Sequence, residues 1–168
     1  VALLRMHRDG LIRLPPPTKG NANGRRGRKT TPRSDPGPAV SDGAGDLPGL
    51  RLCRVQTKEQ STLWNEYVHR YHYLGYQPLP GAQLRYLARS GDRVLAVLGF
   101  GAAAWKTAPR DNWIGWDAEP RKRNLHQVVN NARFLILPWV QSRTLASKLL
   151  AMAARSIPDD WDNAYAYR

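Results

Sequence analysis

Apolar residues follow several rhythms along this chain, and each change of rhythm marks an element. Ala2, Leu3, Leu4 and Met6 precede Asp9-Gly10, and Leu11–Leu14 then alternates between apolar and polar positions. That order predicts the end of a helix, a turn and a short strand. From Pro15 to Gly49 large apolar residues almost disappear. Three consecutive prolines bar both helix and central strand, and the Gly, Pro, Ser and Asp that follow predict a disordered linker over residues 15–49.

Residues 50–168 carry the pattern of a folded domain. Thr57 is followed three positions later by Gln60, the spacing of a capping box. Leu63, Trp64, Tyr67, Val68 and Tyr71 then recur at helical intervals. The helix should end near Tyr73-Leu74-Gly75, with Gly75 in a left-handed cap. Gln83–Arg89 alternates like a strand, Ser90–Arg93 reads as a turn, and Val94–Phe100 returns as the second strand of a hairpin. Asp117–Val129 reads as a helix entered through Pro120. Ala132–Leu137 is a continuous apolar run, which predicts a central strand covered on both faces. Thr144–Arg155 is an alanine-rich amphipathic helix. Helix, hairpin, helix, strand and helix make an α/β domain.

Charge changes what such a domain is expected to meet. The chain has 26 Lys and Arg against 13 Asp and Glu, a formal net charge of +13 and a pI near 10.6. Nine basic and four acidic residues lie before Arg51, so most of the excess belongs to the folded part. A field of this sign gathers polyanions, although a solvated basic surface would have the same composition. Arg25, Arg26, Arg28 and Lys29 cluster within the linker, where they suit either a phosphate-binding arm or a solubilising spacer. Cys53 is the single cysteine, so no internal disulfide forms, in keeping with a reducing cytoplasm. No apolar run approaches the roughly 18 residues of a membrane span, and the first residues lack a signal-peptide pattern. No membrane partner is therefore expected.

Spaced motifs then point to a family. Tyr71-His72-Tyr73-Leu74-Gly75, Leu98-Gly99-Phe100, Ala103-Ala104-Trp105-Lys106, Ala108-Pro109-Arg110-Asp111 and Ile114-Gly115-Trp116 are followed by Arg123-Asn124-Leu125-His126, the run Val128–Val140, and Leu145-Ala146-Ser147. Together these resemble the DruA family of bacterial anti-phage defence proteins, over about residues 50–168. The N-terminal ALLRMHRDGLIRLPPP resembles the DNA-binding-like segment that precedes this domain in the family. On that resemblance residues 1–14 are the remnant of a winged helix-turn-helix, whose recognition helix runs through a turn into its wing. The family's layout is similar to the GNAT acyltransferase fold, a mixed sheet flanked by helices. Relatives continue further at both ends, which implies a fragment with a C-terminally truncated domain.

The resemblance also implies roles for particular residues. In a GNAT-like fold, Gln141, Thr144 and Ala146 overlay the loop that presents backbone amides and a helix N-terminus to a pyrophosphate. Thr144 stands where that pattern carries glycine, and its Cβ crowds the approach. Thr144 is equally suited to cap the helix. No cofactor is therefore expected here, although an acyl-CoA-like cofactor is conceivable in full-length relatives. His72 and Tyr73 are the catalytic candidates; a positioned His serves as a general base near neutral pH, and a His at a helix end also serves as a buried hydrogen-bonded residue. Trp105, Lys106 and Arg110 offer stacking surface and phosphate donors from a loop, although Arg110 and Asp111 could form a local ion pair. Asn130, Asn131 and Arg133 could read base edges, with a turn as the alternative for the two amides.

Most of the six tryptophans are expected in the core or lining a groove. His69, His72 and His126 lack metal-ligand spacing with Cys53, so no metal is expected. Asp111, Asp117 and Glu119 lie too close together for a transposase triad. The reading is a cytoplasmic, DNA-binding or DNA-acting component of anti-phage defence, with DNA and other defence proteins as partners. The alternatives are a GNAT-like transferase modifying a nucleobase or a protein, and a mobile-element protein.

Overall fold

A computed structural model describes residues 6–13 and 30–166. In chain order the elements are β1 (Arg51–Arg54), α1 (Lys58–Tyr71), β2 (Gln83–Ser90), β3 (Arg93–Ala102), α2 (Ala108–Ile114), α3 (Ala118–Asn124), β4 (Val129–Ile136) and α4 (Leu145–Tyr165). The strands form one antiparallel sheet in the order β1-β2-β3-β4. The α/β class is as the sequence indicated. The one parallel pairing among the described residues is an isolated bridge between Val40 and Val140.

Strand alternation explains how the helices cover this sheet. On β2, Leu84, Tyr86 and Ala88 point to one face, where the Tyr86 hydroxyl donates to Asp160 of α4 at 2.7 Å. Arg85 and Leu87 point to the other, where Arg85 donates to Asn65 of α1 and lies over the Trp64 ring. So α1 and α4 sandwich the sheet. The Trp64 indole N–H donates to the Leu98 carbonyl at 3.0 Å, and the ring lies so close to β3 that a methyl group on Gly99 would sit 2.9 Å from it. Gly99 is the condition for that contact.

Several elements begin and end as their chemistry requires. Thr57 and Gln60 close the expected capping box on α1, and Gly75 turns the chain with φ +60°. Gly91, at φ +56°, turns the β2–β3 hairpin. β4 departs from expectation: it lies at an edge of the four described strands and not in the centre. Its apolar run serves one covered face and an end, since Leu137 is fully buried while Phe134, Leu135 and Ile136 are half-buried. α4 runs ten residues beyond Arg155, through Pro158, because Trp161 and Tyr165 give the extension an aromatic anchor.

Residues 30–49, expected to belong to the linker, instead form a strap on the core. Val40, Ala44 and Leu47 are buried among the core side chains, and Ser34 is fully buried. Tyr67 and Tyr71 of α1 donate to the carbonyls of Arg33 and Ser34. Three small apolar contacts and a ladder of backbone bonds hold the strap where composition alone predicted disorder. Residues 15–29 lie outside the described residues. At the N-terminus, residues 6–8 are helical and Asp9-Gly10 turns as expected, but residues 11–13 form no strand, with no partner strand among the described residues. Leu11 N–H instead donates back to the Met6 carbonyl.

Candidate nucleic-acid interface

Between β3 and β4 the chain builds a small lobe from α2 and α3. Pro109 in the first turn of α2 starts that helix where the sequence suggested a loop, since a proline near the N-terminus loses no intrahelical bond. Gly115, at φ +77°, ends it. Asp111 is the hub. It is buried, and burial pushes its carboxyl up, but the Arg110 guanidinium, the Thr107 N–H and Arg121 hold it below the usual carboxylate range. Arg110 spends Nε and Nη2 on Asp111 and Nη1 on the Ala104 carbonyl. Arg121 of α3 reaches Asp111 at 3.3 Å and lies 5.7 Å over the Trp105 ring. The ion pair considered for Arg110 is thus formed within α2, and the Arg121 contact to the same carboxylate ties α2 to α3.

What the lobe presents to solvent is aromatic and mostly cationic, with Asp117 and Glu119 exposed at the start of α3. Trp105 is 56% exposed and Trp113 is 91% exposed. Lys106, Lys122 and Arg123 are exposed on the same lobe. Trp113 therefore departs from the expected core or groove position. The sequence signal for the basic part was the run Arg121-Lys122-Arg123 inside a helix, which covers half a turn and more of its surface with charge.

The other candidates fall elsewhere. His72 ends α1, 8% exposed, with Nδ1 accepting from the Leu74 N–H at 3.2 Å and its ring stacked on Tyr73. Burial, and after it the charge of Arg133, lowers its pKa below the usual histidine value. Tyr73 is almost wholly exposed. Asn130 and Asn131 are exposed strand residues of β4, paired with Gly101 and Phe100 beside a register shift, and so form no turn. Arg133 is half-buried opposite Gly99 and donates to its neighbour's carbonyl at 2.6 Å. Among the described residues, no hydrogen bond, ion pair or ring contact joins these groups to Trp105 or Lys106. Arg25, Arg26, Arg28 and Lys29 lie outside the described residues.

The loop before α4 has its own geometry. Thr144 occupies the N-cap position but makes no side-chain cap; it adopts φ +59° and donates its hydroxyl to the Arg143 carbonyl. The expected capping bond fails because a left-handed backbone turns the side chain away from the first-turn amides. The strap lies against this loop: the Gln141 N–H donates to Val40 O at 2.8 Å, the Ala44 N–H to Arg143 O at 3.0 Å, and Lys148 to Ala44 O. Ala146 follows in the first turn of the helix, half-buried. Among the described residues no group of three or more His, Cys, Asp or Glu could hold a metal ion, and no helix is long and apolar enough to cross a membrane.

No curated protein and no solved structure matches the chain. One family model does: Druantia protein DruA, over residues 5–168. That span takes in the strap, the sheet and the aromatic-basic lobe as well as the motifs first noticed in the sequence, and the chain belongs to the DruA family of Druantia anti-phage defence proteins.

Proposed function

We propose that this chain serves its defence system by binding DNA through the α2–α3 lobe, with little preference for sequence. The observation that carries the reading is the exposure of Trp105 and Trp113 on the same lobe as the exposed Lys106, Lys122 and Arg123. Aromatic faces and cations offered from one lobe suit stacked bases and a phosphate backbone. The net charge of +13 supplies the long-range attraction. Arg110 acts as a strut for this surface, and Asn130, Asn131 and Arg133 extend the candidate contacts along β4. DNA and other defence proteins in the cytoplasm are the partners proposed.

The transferase alternative draws less support. A pyrophosphate loop needs free amides, and the Gln141 amide is already bonded to the strap. We expect no saturable heat from acetyl-CoA at micromolar concentration. For DNA, anisotropy of a labelled oligonucleotide should report binding at low salt that weakens several-fold per doubling of salt, as counterion release requires. Trp113→Ala should cost about 1–3 kcal/mol if bases stack on it. Absence of binding at low salt, or affinity indifferent to salt and to Trp113, overturns the reading.

A further inference from the structure

A cleft of about 280 Å³ lies where the α2–α3 lobe meets the far end of α4. Ala102 and Ala103, at the end of β3, contribute small side chains to it. Trp105 and Trp161 supply aromatic walls, and Lys122 and His126 supply polar groups. The volume lies at the small end of ligand sites, too small for a dinucleotide and suited to one ring with its substituents. Trp161 is 5% exposed, and its indole N–H has no acceptor among the described residues. Buried donors nearly always find a partner, so an orphan on a residue that lines a cleft marks a place where an acceptor is wanted.

We propose that this cleft takes a single unstacked nucleobase together with its phosphate. The base lies against Trp105, the phosphate meets Lys122, and an oxygen of the base or sugar is the acceptor for Trp161. A flat aromatic ring bearing an anion uses every element of the lining: two indole faces, one ammonium, one orphan donor and a floor of alanines that lets a ring lie close. The inference deepens the proposed DNA contact and rests on it for the origin of the base, because a base extruded from a strand and a free nucleotide share this chemistry. Asp111 and Arg121 prepare the site, since Arg121 packs on the ring of Trp105 and holds α3 beneath it.

The test is an NMR titration of the whole chain, following the tryptophan indole N–H signals assigned through Trp105→Phe, Trp113→Phe and Trp161→Phe. Deoxynucleoside monophosphates should shift Trp105 and Trp161 and leave Trp113 in place. Trp105→Ala and Lys122→Ala, both at exposed positions, should weaken that binding, the former by about five- to a hundredfold from the usual value of a stacked base. Unmoved Trp105 and Trp161 signals at millimolar nucleotide overturn the proposal. A parallel arm uses an oligonucleotide, with association read separately by anisotropy. Association with both signals shifted supports a base drawn from a strand. Association without the shifts, in a chain that also ignores mononucleotides, sinks the cleft and leaves the DNA reading standing. Shifts with mononucleotides but no association with the oligonucleotide support the cleft and overturn the DNA reading.

Discussion

Thr144 and Ala166 are the non-glycine residues with left-handed backbone among those described. For a β-branched residue this conformation is an outlier and costs on the order of 1–3 kcal/mol. Glycine adopts it freely, so Thr144→Gly should raise stability by about 1 kcal/mol, after the loss to unfolded-state entropy, in urea unfolding followed by tryptophan fluorescence. An unchanged or lower midpoint would show that the Thr144 hydroxyl bond to Arg143 already offsets the strain. Gly99 teaches the opposite lesson about glycine. Its backbone is ordinary, and what excludes a side chain is the Trp64 ring packed against β3. Neither constraint is visible in the letters Ser-Arg-Thr-Leu or Leu-Gly-Phe. A dihedral angle and a neighbour 35 positions away have no local signature.

At the level of elements, local chemistry was legible and long-range packing was not. Thr57 and Gln60 announced α1, and Gly91-Asp92 announced the hairpin, because caps and turns are decided within four residues. Pro109 and Pro158 both stand inside helices. One sits harmlessly in the first turn of α2, and the other is carried inside α4 by packing that outweighs a missing bond. The strap was illegible because its few apolar residues matter only once Tyr67, Trp139 and the α4 loop surround them. Of the candidate site, Trp105 and Lys106 could be read from sequence, whereas the exposure of Trp113 could not.

The strap also carries a titratable lock. Glu66 of α1 is buried and accepts from the Thr31 N–H at 3.0 Å and the Thr31 hydroxyl at 2.9 Å. Burial pushes its carboxyl up, but the bonds from Thr31 and Ser34 outweigh that and bring the net value below the usual 4.5. A depressed folded pKa means stability that is complete above pH 4.5 and lost as pH falls through the folded value. Glu66→Gln should lower stability by about 2 kcal/mol at neutral pH, through the unmatched buried amide, and flatten the decline below pH 4.5. A variant with the parent's acid profile would place that decline in other carboxylates.

On the scale of the whole molecule, two arrangements of long range meet. One is the field: excess charge runs through the folded part, so attraction to a polyanion precedes any contact with the lobe. The other is the way the sheet is tied. β1 to β4 pair in chain order, at most across one or two short helices, as between Ala96 and Ile136, but the bond pair at Val40 and Val140 joins residues about a hundred positions apart. Loop-closure entropy makes such a pairing late in folding. The meander can therefore assemble first and the strap dock afterwards. Val40→Ala, removing a buried side chain worth about 2 kcal/mol, should then speed unfolding roughly thirtyfold and leave the folding rate almost unchanged in stopped-flow experiments. Equal slowing of folding would place the strap in the nucleus. If docking is late, the strap is also the first part to open in the native protein, so residues 30–49 set how long the closed state survives while the sheet sets how quickly it is reached.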